Sequence, residues 1–335
     1  MYQKDTSISI LGDGGWGTAL ALLLADQGFR VRLWGAFPKY VEEVRRKREN
    51  KKFLPGFKIP ENVQPTADIH EACLKADMIV LAVPSQYVRS ILQKIKKDKI
   101  HHKSFVTVAK GIETKTLKVM SQVIQEELGR VSQCVLSGPT IAREVALKMP
   151  AAASVASSNP ELSARVRKVF TTDYFTVFQS DDIMGVELGG SLKNVIAISA
   201  GIVEGLGYGS NTRAVLLARG TAEMARLGHV MGARRETFMG LSGLGDLATT
   251  CLSPHSRNRW LGEEIGKGKK LKDILKGTEM VVEGVDTSLS AALLARRHKV
   301  VMPITEAVHA ILFKGHDPRE AVRALMKREP HMELE

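Results

Sequence analysis

Two lysines stand in settings unlike those of the other basic residues in this chain. Lys193 lies in Leu188-Gly-Gly-Ser-Leu-Lys193-Asn194-Val-Ile-Ala-Ile-Ser-Ala200, a run that is otherwise apolar or small. A lysine there is expected to be partly desolvated, which lowers an amine's pKa and suits it to proton transfer. The competing reading is a lysine that extends its head to the surface. Asn194 is placed to orient Lys193 or a substrate. Lys110 closes a predicted strand, in Val108-Ala-Lys110-Gly-Ile-Glu113. Ligands of open α/β sheets bind beyond the C-terminal strand ends, although a surface lysine at a turn has the same signature. Carbonyl reduction fits such residues. Hydride addition to a ketone creates an alkoxide that needs a cation or acid beside it and a clamp on the rest of the substrate.

A clamp is offered further on. Gly243 to Asn258 concentrates small polar residues with Asp246, Thr250 and Arg257, and Ser256-Arg257-Asn258 precedes a predicted helix over 259–265. Helix N-terminal amides beside an arginine bind phosphate well; an ordinary N-cap with a surface arginine is the alternative. His255, next to Pro254, reads as a loop histidine. The remaining histidines lack metal-ligand spacing, so no metal site is expected. Glu283 sits in the apolar stretch Val281-Val282-Glu283-Gly-Val285, where a carboxylate needs a partner. That partner is a cofactor amide or ribose, or a structural ion pair.

The elements that must position these groups are legible in part. Residues 7–11 read as a buried strand, 18–27 as an apolar helix and 30–34 as a second strand, one βαβ unit. Between them Gly12-Asp-Gly14-Gly15-Trp16-Gly17 fits G-x-G-x-x-G in the required strand–turn–helix context. Gly12 permits the tight turn, Gly14 lets the backbone approach a pyrophosphate, and Gly17 allows close helix–strand packing. Positions 35–38 carry neither the acidic residue common in NAD sites nor the arginine common in NADP sites. Lys39 is within reach of a 2′-phosphate or is a solvated helix residue, so the cofactor is NAD or NADP. Further strands are expected at 77–83, 104–109 and 134–136, with 152–156 and 175–179 as additional candidates. Residues 38–50 read as a charged helix and 54–60 as a Pro/Gly loop. Strands alternating with helices indicate a mostly parallel sheet. Beyond about 187 only helical periodicity is evident. The expected domains are therefore 1–188, an α/β dinucleotide-binding unit, and 189–335, an all-α substrate domain.

Composition agrees. The chain has 335 residues, 44% hydrophobic, enough for more than one core. The formal net charge of +12 suits anionic partners, but basic runs such as Arg45-Arg46-Lys47-Arg48 read as solvated helix faces and no nucleic-acid-binding signature is present. The three cysteines, Cys73, Cys134 and Cys251, are widely separated and fit a reducing compartment. No stretch resembles a signal peptide or a membrane span of about 18 apolar residues, so a cytoplasmic location is expected.

Taken in order, these motifs resemble the bacterial NAD(P)-dependent glycerol-3-phosphate dehydrogenases along nearly the full chain. The matching stretches are Gly12-x-Gly-x-Trp16-Gly17, Leu54-Pro-Gly56, Lys110-Gly-Ile-Glu113, Ser137-Gly138-Pro139, Glu187 to Asn194, Gly243-Leu-Gly-Asp246-Leu, Ser256 to Arg259, Val282-Glu283-Gly284 and Glu320 to Met326. The resemblance implies a Rossmann-type domain and a 6-phosphogluconate dehydrogenase C-terminal-like helical domain, usually dimeric. The implied reaction interconverts dihydroxyacetone phosphate and sn-glycerol 3-phosphate for phospholipid synthesis. It implies Lys193 as the acid/base, supported by Thr250. Lys110, Gly138, Thr140, Asn194, Asp246, Ser256, Arg257 and Asn258 are implied around the substrate, and Gly15, Trp16, Lys110, Ala142, Arg257, Val281 and Glu283 near the cofactor. Two departures stand out: Gly35-Ala36-Phe37 where arginine is frequent, and Thr140 where serine is usual. A related reductase acting on a hydroxy or keto acid, a non-catalytic nucleotide sensor and a nucleic-acid binder are the weaker alternatives.

Overall fold

A computed structural model describes residues 6–328; the opening residues 1–5, and the end of the second expected domain, lie outside them. The chain divides into two compact units, one of residues 1–109 with 120–183 and one of residues 110–119 with 184–335.

Among its described residues the first unit is built on ten strands: β1 (Ser7–Leu11), β2 (Arg30–Trp34), β3 (Glu49–Asn50), β4 (Leu54–Lys58), β5 (Val63–Thr66), β6 (Met78–Leu81), β7 (Ser104–Thr107), β8 (Ser132–Ser137), β9 (Ala151–Ala156) and β10 (Phe175–Ser180). Eight form one sheet in the order β10-β9-β8-β7-β6-β1-β2-β5, while β3 and β4 pair separately. Every pairing in the large sheet is parallel except β8 with β9. β6 shows why its sequence is uniformly apolar. Met78 and Val80 enter the core shared with Leu20, Leu23 and Leu24 of the helix Gly15–Asp26, while Ile79 and Leu81 enter the opposite core with Val88 and Leu92. Strands covered on both faces lose polar alternation.

Three expectations require revision here. The segment 54–60, read as a loop, contains β4, whose Pro55-Gly56 mask a short strand held by a two-residue partner. The charged helix stops at Lys47, where Arg48 turns left-handed at φ 52°. β5, absent from the sequence reading, contains Pro65, which is tolerated because β5 is the last strand of its edge.

The regular elements among the second unit's described residues are all helices, apart from a lone bridge between Ile112 and Val119. Its axis is the helix Ile183–Gly205, of which residues 185–203 are buried. This helix is long and apolar enough to span a membrane by length and composition, yet it carries Glu187, Lys193 and Glu204 and the whole of its apolar window is buried inside the protein. It crosses the helix Arg257–Gly266 at backbone contact. A Cβ on Gly201 would stand 1.9 Å from the Arg259 carbonyl oxygen, and one on Gly262 2.0 Å from that of Ile198. Residues 110–119, assigned from sequence to the first domain, belong to this unit because Ile112, Leu117 and Val119 enter its core and Ser290 Oγ donates to the Ile112 carbonyl at 3.1 Å. The chain passes into the second unit at 183/184 rather than 188/189.

Candidate active site

The second unit gathers the reactive side chains around Asp246. A π-helical turn over Leu241–Gly245 delivers the chain into the helix Asp246–Leu252. A carboxylate in a helix's first turn is favoured by the positive end of the backbone dipole. Thr250, one turn on, donates its hydroxyl to the Asp246 carbonyl at 2.7 Å. Lys193 Nζ donates to Thr250 Oγ1 at 2.7 Å and to Asp246 Oδ1 at 3.0 Å. Lys110 Nζ takes the other carboxylate oxygen, Oδ2, at 2.6 Å. The side chains of Lys110, Lys193 and Asp246 are only 14%, 8% and 3% exposed. One carboxylate thus sits between two ammonium groups. Burial holds the Lys110 amine below its ordinary pKa, and Lys193 adds to the depression while Asp246 opposes it. An ammonium has three N–H groups, and Lys193 uses two on Thr250 and Asp246; the third is free among the described residues.

Three elements hold this cluster together through two asparagines. Asn194 Nδ2 donates to the Lys110 carbonyl at 3.3 Å, Asn258 Nδ2 donates to Asn194 Oδ1 at 2.8 Å, and the Gly284 N–H donates to Asn258 Oδ1 at 3.0 Å. Asn258 therefore has hydrogen bonds at both ends of its amide and acts as a brace. Ser256 caps the helix Arg257–Gly266, accepting from the Arg259 N–H at 3.2 Å. Arg257 is exposed and donates to the Val281 carbonyl at 3.3 Å. It lines a cavity of about 220 Å³ with Ser256, His255 and Val282. Glu283, half-buried at the start of the helix Glu283–His298, acts electrostatically on both Lys110 and Arg257. His255 lies on an exposed turn, its backbone N–H donating to Ser253 Oγ at 3.1 Å. A larger cavity of about 890 Å³ elsewhere in this unit is walled mostly by aliphatic side chains and contains none of Lys110, Lys193 and Asp246. The chemistry, not cavity size, locates the site. Sequence reasoning missed Gly201 and Gly262, which set the closeness of the Asn194 and Asn258 helices; the available signal was a second glycine four residues on in each helix, Gly205 and Gly266.

The first unit holds the glycine turn. Gly12 has φ 128°, and a Cβ there would stand 2.6 Å from the Ala82 carbonyl carbon; one on Gly17 would stand 1.9 Å from the Gly12 oxygen. Both are glycine because the fold demands it. Gly14 is different: its φ of −66° suits any residue, and a Cβ would meet nothing within 4 Å. No steric contact among the described residues demands a glycine at this N-cap, whereas a pyrophosphate lying on the helix N-terminus does. The residues present fit a dinucleotide. Gly15 approaches Ala142, whose Cβ would stand 3.8 Å from one on Gly15, and Trp16 packs on Phe175 with ring centroids 6.4 Å apart. Thr140 Oγ1 donates to the Gly138 carbonyl at 3.0 Å, just beyond the end of β8.

Known proteins share this fold. Family profiles described as the N-terminus and C-terminus of NAD-dependent glycerol-3-phosphate dehydrogenase match residues 7–163 and 182–323. A glycerol-3-phosphate dehydrogenase [NAD(P)+] of Syntrophotalea carbinolica is 48% identical over 98% of this chain and 100% of its own. Its counterpart in Carboxydothermus hydrogenoformans is 49% identical over 98% of each. The crystal structure of the Coxiella burnetii glycerol-3-phosphate dehydrogenase superposes with a TM-score of 0.94 at 38% identity, covering 97% of this chain and 100% of that one. With both halves matched, this chain belongs to the NAD-dependent glycerol-3-phosphate dehydrogenase family.

Proposed function

We propose that the chain moves a hydride between NAD(P)H and dihydroxyacetone phosphate, giving sn-glycerol 3-phosphate, with Lys193 as the acid/base. The observation that carries this is the free third N–H of a buried lysine whose other two protons are fixed on Thr250 and Asp246. Bound nicotinamide supplies the hydride. Lys193 donates its remaining hydrogen bond to the ketone oxygen and passes that proton to the alkoxide; in reverse the neutral amine removes the hydroxyl proton. Lys110, anchored on the same carboxylate, adds a second positive charge facing the developing alkoxide. Asp246 keeps both lysines in place, Thr250 fixes the Lys193 head, and Asn194 and Asn258 brace the helices that carry them. Arg257, at the N-terminus of a helix, serves the substrate phosphate with Ser256; the family resemblance also supports Gly138 and Thr140 as substrate residues. Gly14, Gly15, Trp16, Ala142, Val281 and Glu283 serve the dinucleotide. The family resemblance supports a homodimer in the cytoplasm feeding glycerophospholipid synthesis. The test is oxidation of NADH and NADPH with dihydroxyacetone phosphate, unphosphorylated dihydroxyacetone and a panel of keto acids. Turnover confined to the phosphorylated ketone is expected; preference for a keto acid would overturn the reading.

A further inference from the structure

The end of β2 lacks the carboxylate that an NAD site ordinarily places there, yet a carboxylate stands beside that position. β1 and β2 run parallel, with Leu11 opposite Trp34, and the Gly12 N–H donates to the Trp34 carbonyl at 2.9 Å. The glycine turn and residue 35 are thereby neighbours at the C-terminal edge of the sheet. A Cβ built on Gly35 would fall 2.2 Å from Asp13 Oδ2 and 2.6 Å from its Cγ. The Asp13 carboxylate therefore occupies the space in which a side chain at the end of β2 would begin. That oxygen is buried and has no hydrogen-bond partner, so a strong acceptor is held there unsatisfied, an arrangement that costs free energy unless a ligand completes it. Burial raises the Asp13 pKa, and Lys52 pulls it back.

We infer that Asp13, reaching from the glycine turn into the place left open by Gly35, is the residue that recognises the adenosine ribose and selects NAD(H) over NADP(H). A ribose diol brings O–H donors to the waiting oxygen. A 2′-phosphate removes one donor and sets a dianion against a carboxylate in a poorly solvated corner, where like charges repel strongly. The inference rests on the dinucleotide site of the first unit and assigns a discriminating role within it. Lys39, exposed on the following helix, is the competing determinant; if it governs, the preference runs toward the phosphorylated cofactor.

The experiment is steady-state kinetics at pH 8 with dihydroxyacetone phosphate and each reduced cofactor, beside direct fluorescence titration of both cofactors. The wild-type protein, Asp13→Asn, Asp13→Ser and Lys39→Ala are compared. The wild type is expected to favour NADH by at least tenfold in kcat/KM and in dissociation constant. Asp13→Asn, which keeps the shape without the charge, should shrink that ratio at least tenfold, through tighter NADPH binding and weaker NADH binding. Asp13→Ser should act the same way should the Asn variant fold poorly, and Lys39→Ala should leave the ratio unchanged. A wild type that binds NADPH as well as NADH, or a ratio unmoved in both Asp13 variants, overturns the inference while leaving the dehydrogenase reading intact. Titration with neither cofactor binding overturns both.

Discussion

Lys193 illustrates what a residue's neighbours decide. A lone lysine in an apolar helix has a recognisable sequence signature, but its two anchors, Thr250 and Asp246, lie 57 and 53 positions away, and nothing in composition or periodicity announces such a contact. Lys110 and Asp246, 136 positions apart, were separately conspicuous and jointly illegible. With the anchors known, the role can be tested. Lys193→Ala should lower kcat by about 10²–10⁴-fold with cofactor affinity little changed. Lys193→Arg should not restore it, because guanidinium stays charged and is planar. Retention of more than about a tenth of wild-type kcat would shift the acid/base role to Lys110. Gly14 offers a cleaner separation of fold from ligand. Since a side chain there meets no protein atom within 4 Å, Gly14→Val should keep the wild-type melting temperature and lose NADH binding. Equal losses of both would mean that the glycine serves the turn itself.

At the scale of elements, the large sheet and the central helix were legible because each is a long run with one clear pattern. β5 and the β3–β4 pair were not, since Pro55, Gly56 and Pro65 carry the composition of loops. The contact between the helices Ile183–Gly205 and Arg257–Gly266 also went unread, because close approach shows only as glycines that can equally be structural defects. Gly262→Ala must push the two helices apart, its Cβ starting 2.0 Å from the Ile198 oxygen. The expected cost is about 1–3 kcal/mol in urea unfolding. It should be accompanied by lower kcat as the Asn194–Asn258 bond stretches. Stability unchanged by the alanine would refute the backbone-contact reading. The helix Pro303–Lys314 supplies a second test. Its own N-cap residue, Met302, makes no side-chain cap; Glu223 serves instead from another helix, accepting from the N–H groups of Ile304 at 2.6 Å and Thr305 at 3.1 Å and from the Thr305 hydroxyl at 3.2 Å. Burial nevertheless lifts its pKa from 4.5 to about 7, against these hydrogen bonds and the nearby Arg226. A carboxyl with a raised folded-state pKa favours the fold while protonated. Its contribution is complete below the unfolded value and fades as pH climbs from about 4.5 through 7. Wild-type stability should therefore fall between pH 5 and pH 8 by about 1–3 kcal/mol more than that of Glu223→Gln. Parallel pH profiles of the two proteins in urea titrations would exclude the effect.

For the molecule as a whole, the formal net charge of +12 bears on how a phosphorylated ketone arrives. Attraction between a cationic protein and a dianion is long-ranged and screened by salt. Raising ionic strength from about 20 to 300 mM should lower kcat/KM for dihydroxyacetone phosphate several-fold through KM, with kcat nearly constant, given a Debye length that shrinks below about 10 Å across that range. A salt-independent KM would confine the electrostatics to the immediate contacts around Arg257. The passage of residues 110–119 into the second unit has a consequence for how the protein is made. Lys110 leaves the ribosome well before any of the side chains that will hold it, and Ile112, Leu117 and Val119 emerge with the sheet-forming half while their core is still unsynthesised. A nascent or truncated chain ending near residue 183 thus carries a ten-residue loop whose three apolar side chains lack their core, and a stranded lysine, and it should attract chaperones and precipitate until the helical half is supplied, even in trans.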